Sequence, residues 1–349
     1  MSQRGFPEPP GAAVQDGRFE LGRYCAPFPR ANLLDIGSPN NYPIPRFLKN
    51  FRLKEWQAFQ FGDERWFFFT ALYNAKTFGI ANFFAYDRVG KKRYGCQRVL
   101  PGSPFRFFEE LSLSRVTYHG ATTFIEYVFD LEAGKIGINV DRHSRDLAKR
   151  FSGQFDFSYG AKVSAPSAVC LPLGMNRAMY SMKVLMPVTG EFTSVVGSSH
   201  LENPGAMGIL DEHKGFYPWR LRYDWVTGFG LDSKGRRVGF NLTDNQVKDQ
   251  VRYNENCIWI NNKVWPLPPV KVTRPKGPAS EWFIQDTEGL VDLVFIPEVP
   301  NDIIFNIGIM RSDYHGPFGS FRGVIKNGEG DKIEAERLYG AGEQKYLRA

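Results

Sequence analysis

The chain is short of the residues from which most catalytic and metal centres are built. Its 349 residues hold only four cysteines, Cys25, Cys96, Cys170 and Cys257. None forms a CxxC pair, so neither a metal framework nor a redox couple follows, and this usage suits a reduced, cytoplasmic compartment. The five histidines, His119, His143, His200, His213 and His315, include no pair at i, i+4, which excludes the HExxH signature and a zinc site built on histidine alone. No GxSxG nucleophile elbow is present. Gly228-Phe-Gly230 begins like a dinucleotide fingerprint, but Ser233 stands where the third glycine belongs. The spacing of Gly230 and Gly235 fits a phosphate loop, but Arg236 replaces the required lysine. No cofactor and no metal are expected.

Long apolar runs are also missing. Trp66–Phe69 and Leu293–Pro297 fall far below membrane-spanning length, and no apolar stretch follows the first charges as a secretory signal requires. No window of ten residues carries a convincing helical stripe, the weak exceptions being 141–150 and 204–213. Basic residues exceed acidic ones by 7, yet the densest groups, Lys91–Arg93 and Arg142, Arg145, Lys149 and Arg150, are too short and sparse for a nucleic-acid patch. The excess reads as solvated surface that leaves contact with an anionic membrane open.

What the chain does have is aromatic residues, 15% of the total, in short apolar runs separated by turn residues. From Trp56 onward this texture repeats as a β-meander. Phe155–Tyr159 alternates cleanly, whereas the run around Phe124–Phe129 does not and suits a strand covered on both faces. Cys257–Ile260 and Val264–Leu267 flank Asn261-Asn262, a pair that tolerates positive φ in a tight hairpin. A further hairpin is expected to turn near Thr189-Gly190. The expected fold is all-β, with two lipocalin-like antiparallel β-barrel lobes and few short helices. Residues 1–50 form an irregular arm, with Leu33-Leu34 and Phe47-Leu48 tucked onto the body. Residues 51–200 make the first lobe and 201–349 the second, with the crossover placed in the Ser-, Asn- and Gly-rich stretch 197–208. Closure into barrels removes the sheet edges such a chain otherwise exposes.

Polar groups concentrate in three segments of the C-terminal half: 211–225, 241–256 and 312–319. Asp224, Glu255 or Asp313, desolvated among Trp and Tyr rings, would have a raised pKa and suit a general acid, with His213 or His315 as partner. The candidate catalytic residues are thus Asp313, His315, Asp224 and Glu255. His213, Tyr217, Trp219, Arg220, Trp225, Arg252, Asn254 and Tyr314 are candidates for ligand contact. The same carboxylates equally suit clamps that satisfy turn backbone and pair with one another. Both histidines fall beside Gly and Pro, in stretches read as loops.

Five longer motifs carry a resemblance: His213-Lys-Gly-Phe-Tyr-Pro-Trp-Arg220, Gly239-Phe-Asn-Leu-Thr243, Arg252-Tyr-Asn-Glu-Asn-Cys257, Ser312-Asp-Tyr-His-Gly-Pro-Phe-Gly319 and Gly342-Glu-Gln-Lys-Tyr-Leu347. Together they resemble a bacterial family catalogued as a domain of unknown function, number 2804, over nearly all of the chain after the arm. That resemblance implies no activity and no catalytic residues. In its two-lobed β plan and Trp-rich stretch the chain is more distantly similar to lipocalin-like proteins of the carotenoid hydratase and Diels-Alderase type, which implies an elongated apolar ligand such as a lipid or isoprenoid. The leading expectation is a protein that binds such a ligand in a cavity capped by the 211–225 and 312–319 segments. A cofactor-free hydratase, isomerase or cyclase at the same site is the first alternative. The second is a β scaffold for a partner protein or an anionic membrane surface.

Overall fold

The computed structural model describes residues 6–37, 43–102, 104–308 and 310–348. Residues 1–5 and 38–42 of the expected arm lie outside the described residues. The fold is all-β, built on two curled antiparallel sheets, with one α-helix, Arg46–Arg52, among the described residues. No helix among them is long and apolar enough to cross a membrane.

The first sheet runs from Lys92–Pro101 through Phe78–Asp87, Trp66–Asn74 and Lys54–Gly62 to Met207–Gly215. It continues through Arg177–Ser194, Phe151–Ser158, Lys135–Arg142 and Thr123–Asp130 to Leu113–His119. Its curl brings its two halves face to face around one aromatic core, where Phe59 meets Tyr127 at 5.0 Å and Phe61 meets Phe155 at 4.6 Å between ring centroids. The second sheet runs from Lys263–Pro266 through Cys257–Ile260, Arg237–Asp244, Arg220–Leu231, Tyr339–Arg348, Phe318–Lys326, Val291–Val299 and Trp282–Asp286 to Val270–Thr273. That last strand returns against Arg237–Asp244, around a core that includes Phe240, Trp282, Phe295 and Phe321.

A third cluster joins the lobes. Phe67, Phe69, Phe84, Leu185 and Ile209 of the first sheet pack against Phe229, Trp259, Phe318 and Tyr339 of the second. In Trp66–Phe69, Trp66 and Phe68 therefore point into the first core while Phe67 and Phe69 point into the seam. Successive side chains of a strand face opposite ways, so a strand apolar on both faces reads as a continuous run. Met207–Gly215 is the limiting case, with all nine residues buried. Leu210, Glu212 and Lys214 face inward, whereas Ile209, Asp211 and His213 face the seam.

The expected hairpin at Asn261-Asn262 is present, with Asn261 at φ 56°. Thr189-Gly190, however, is no turn. Arg177–Ser194 is a single strand of 18 residues, and Gly190 serves close approach, since a Cβ there would collide with the Gln154 carbonyl oxygen. The chain passes between sheets at 216–219, not within 197–208, where Gly197–Leu201 adds an edge strand to Arg177–Ser194. In the N-terminal arm Tyr24, Phe28 and Leu33 join the first core, and Gly22–Tyr24 pairs with Ser167–Gly174. Phe47 and Leu48 do not tuck in: the short Arg46–Arg52 helix leaves Phe47 71% exposed and buries none of its residues.

These placements separate two phenylalanines by their role. Phe61→Ala, in the first core, should cost about 3–5 kcal/mol of unfolding free energy. Phe47→Ser should stay within about 0.5 kcal/mol of wild type. Urea denaturation measures both, and a small loss for Phe61→Ala would contradict the packed lobe.

Candidate functional site

The seam is not filled everywhere. Beyond the aromatic cluster it opens into a cavity of about 160 Å³ lined by side chains of both sheets. Its apolar wall includes Phe69, Ala71, Ile80, Leu221, Ile303 and Phe305. The cavity thus lies between the lobes, on the outward faces of their strands, while aromatic side chains occupy the lobe interiors.

One wall is ionic. Arg177–Ser194 alternates so that Met182 and Val184 enter the first core while Ser181 and Lys183 face the seam. Lys183, its side chain 3% exposed, donates to Glu255 Oε2 at 2.6 Å and to Ser181 Oγ at 2.7 Å. Its ammonium also lies 2.9 Å from Asp211 Oδ1, and Asp211 Oδ1 lies 2.7 Å from His213 Nε2. Both approaches to this oxygen are ionic contacts rather than aligned hydrogen bonds. Glu255 comes from the second lobe, where Thr243 Oγ1 donates to it at 3.0 Å and Asn241 Nδ2 donates to its backbone carbonyl at 2.9 Å. The Lys183–Glu255 pair therefore ties lobe to lobe inside the protein.

Burial alone would push the Lys183 pKa down, but Asp211 and Glu255 outweigh it and raise it. Burial likewise opposes ionisation of Asp211, where His213 and Lys183 prevail and hold the carboxyl well below its ordinary value. For Glu255 burial is again the largest influence, and Lys183 and His213 overcome it. The expected rise for Glu255 is therefore reversed, because a lysine inside the apolar run Tyr180–Met186 pairs with it. No serine triad results, since Ser181 Oγ, at 3.0 Å, and Asp211 both approach Nε2 of His213. A triad needs one partner on each ring nitrogen. Neutral His213 can accept from Lys183 at Nε2, 2.9 Å away, whereas a protonated ring would form an ion pair with Asp211. The cluster can therefore take up and return a proton. Trp56 stacks on the imidazole at 4.3 Å, and Tyr217 OH lies 3.4 Å from Nδ1.

The facing wall comes from Tyr339–Arg348. Tyr314 and Tyr223 donate to the two oxygens of Glu343 at 2.6 and 2.9 Å. Lys345 stands beside them among Trp56, Tyr73, Tyr223 and Tyr314. Among the described residues no group of three His, Cys, Asp or Glu side chains is placed to hold a metal ion. Between Asp211, His213 and Glu255 the position is taken by the Lys183 ammonium.

Of the residues singled out in the sequence, His213, Tyr217, Trp225, Glu255 and Tyr314 meet at this cavity. Trp219, 47% exposed, lies with Arg220 and Arg252 on the surface. Asn254 is buried but is engaged in joining segments, accepting from Arg23 Nη2 at 2.7 Å and donating to the Gln250 carbonyl at 2.7 Å. Asp224 and Asp313 line a separate cleft of about 490 Å³ with Arg222, Arg274 and Arg311. There burial raises the Asp224 pKa against the opposing pull of Arg274, 2.6 Å away. His315 lies 3.0 Å from Asp302 and 3.2 Å from Asp313. His213 and His315 sit in strands, not loops, because pairing runs on to Gly215 in the first and to His315 itself in the second. Lys183 was not singled out, and Glu343 and Lys345 were named only within the motif 342–347 and not as site candidates. The readable signal for Lys183 was a lone charge inside the apolar run Tyr180–Met186.

Two curled antiparallel lobes packed outer face to outer face, with a mostly apolar cavity that has one ionic wall between them, define a two-lobed, lipocalin-like β protein. The chain belongs to the family described as a domain of unknown function (DUF2804), which matches residues 12–348. No curated protein matches the sequence. Among solved structures, kievitone hydratase from Nectria haematococca is similar at 8% identity, over 85% of this chain and 89% of that one, with a TM-score of 0.47. CghA is similar at 10% identity, over 85% and 87% of the two chains, with a TM-score of 0.44.

The ion cluster makes stability depend on pH in a defined direction. The folded pKa values of Asp211 and Glu255 lie below the ordinary 3.8 and 4.5, so their contribution is present above that range and lost as pH falls through the folded values. The folded value for Lys183 lies above 10.5, so its contribution is complete below that pH and lost as pH rises through the folded value. Lys183→Met should cost about 3–5 kcal/mol at neutral pH, because it strands two buried carboxylates. The gap to wild type should narrow as pH falls from about 6 to 3, since the stranded carboxylates take protons more readily in the folded state. Denaturation across that range measures the gap, and a gap independent of pH would contradict the charged cluster.

Proposed function

We propose that the protein binds an apolar small molecule in the seam cavity, with a polar end group set against the ionic wall. The observation that carries this is the contrast of its walls. Phe69, Ala71, Ile80, Leu221, Ile303 and Phe305 offer only hydrocarbon, while His213, Lys183, Asp211 and Glu255 are held ready on one side. A pocket that is mostly apolar with a few convergent polar groups is the usual form of a small-molecule site. The free volume of about 160 Å³ is close to that of an apolar cavity of about 150 Å³ that holds one benzene. It therefore takes one ring or a short branched segment, and the rest of an elongated lipid or isoprenoid runs out along the seam. The larger cleft around Asp224 and Asp313 is walled by ion pairs and gives an apolar molecule little to displace.

A second reading, acid–base conversion of the bound molecule by hydration, isomerisation or cyclisation, is favoured by one feature. Lys183, His213 and Asp211 form a buried group able to exchange a proton beside an apolar cavity, which is the arrangement cofactor-free proton transfer needs.

Ala71→Phe fills the cavity from a position that neither lobe core uses. Titration with hexanol and with geraniol, followed by the fluorescence of Trp56 and Trp225, should show saturable binding to wild type and at least about tenfold weaker binding to the variant, a loss of about 1.4 kcal/mol. Equal affinity would place binding elsewhere. Running the geraniol titration in deuterated water, with mass analysis of the recovered alcohol, reads the second possibility through deuterium uptake that His213→Gln removes.

A further inference from the structure

Two lysines line the cavity, Lys183 buried and Lys345 partly buried, and their surroundings differ. Lys183 is held by two carboxylates, a hydroxyl and an imidazole. Lys345 is held by rings alone: its ammonium lies 5.4 Å from the centroid of Tyr223, 5.5 Å from Trp56, and 5.8 Å from both Tyr73 and Tyr314. Among the described residues no hydrogen bond or ion pair engages its nitrogen. A lysine ammonium carries three donors, and rings satisfy charge without accepting those hydrogens in a normal geometry. Burial also pushes the Lys345 pKa down, with Glu343 and Asp211 opposing it. The result is an amine that opens onto an apolar space and has an unused lone pair whenever it is neutral.

The charges around the cavity select among the partners such an amine can take. Asp211, Glu255 and Glu343 supply three carboxylates against two lysines. These resident carboxylates already face the cations of the wall, so a carboxylate or phosphate head would enter beside like charge. An aldehyde or ketone would not. We infer that Lys345 is a covalent anchor, whose amine condenses with the carbonyl group of an apolar aldehyde or ketone to form a reversible imine. This rests on the seam cavity being the ligand site and names the class of ligand.

The step balances without a cofactor. The nitrogen lone pair attacks the carbonyl carbon, and the carbonyl π electrons pass to oxygen. Both amine hydrogens then leave with that oxygen as water while the carbon–nitrogen double bond forms. No oxidant or reductant is consumed. The Glu343 carboxylate, bridged by the hydroxyls of Tyr223 and Tyr314, is the neighbouring group through which the protons can move from nitrogen to oxygen. Desolvation in a hydrophobic pocket is an established way to make a lysine nucleophilic.

The test treats the full chain with hexanal and sodium cyanoborohydride, which reduces an imine to a stable secondary amine, and locates the adduct by peptide mapping. The expected result is preferential labelling of Lys345, at least about tenfold faster than any other lysine, with that adduct lost in Lys345→Met and in Lys345→Arg. Labelling spread evenly over surface lysines, or fastest at Lys183, overturns the assignment. Hexanol binding, read by tryptophan fluorescence, separates the two levels. If hexanol binds and hexanal leaves no adduct on Lys345, the covalent anchor is wrong and the cavity stands as a ligand site. If neither binds, the ligand site falls with it. Tighter binding of hexanoate than of hexanol, without adduct formation, makes Lys345 an ion-pair partner and also overturns the imine.

Discussion

The Lys183 ammonium is the constraint around which the seam is built. It enters from a strand whose neighbours on that face include Leu185, and its side chain is only 3% exposed. An isolated charge there would be prohibitively costly, so carboxylates must come to it from more than one direction. Asp211 arrives on the adjacent strand of the same sheet, in the register that places Asp211 opposite Lys183. Glu255 arrives from the other lobe. The lobes are thus held in register by a charge that neither could bury alone, and the aromatic packing of Phe67 against Phe229, Phe318 and Tyr339 continues the contact where no charge is present.

The same construction explains where the cavity is. A curled sheet whose inner face carries large aromatic rings fills its own lumen, as Phe59, Phe61, Phe68 and Phe155 do in the first lobe. Space then remains only where two convex outer faces meet and cannot match everywhere. Polar residues that a solvated outer face would carry become, in the seam, buried groups facing a small apolar volume. This is how one strand, Met207–Gly215, carries four consecutive charged or ionisable residues with every one buried: Glu212 and Lys214 serve the first lobe, Asp211 and His213 the seam.

Much of the fold was legible from period and turn chemistry. Paired Asn at 261–262 marked a real hairpin, and Phe155–Tyr159 marked a strand with one face on the core. The expectations that missed did so where one local feature has two physical uses. Gly190 reads as a turn, yet it is the point where the Gln154 backbone comes too close for a side chain. His213-Lys-Gly-Phe-Tyr-Pro reads as a loop because charged residues seldom occupy a strand buried on both faces. Phe47 reads as core by hydrophobicity alone, and nothing in a seven-residue helix forces it inward. At the cavity, the cluster of His213, Tyr217, Trp225 and Glu255 was visible because these residues are dense in the sequence. Lys183 and Lys345 were not, because their partners lie far away in the sequence and each becomes meaningful only when register sets it beside them.

The central claim is that the space available to a ligand is an apolar cavity between the lobes and not the lumen of either. A crystal structure of the protein pressurised with xenon tests it most directly, since xenon enters dry apolar cavities and little else. The account predicts a xenon site bounded by Phe69, Ile80, Leu221 and Phe305, with none among Phe59, Phe61 and Phe155 or among Phe240, Trp282 and Phe321. Xenon inside either lobe, with the seam closed by side chains, would contradict it.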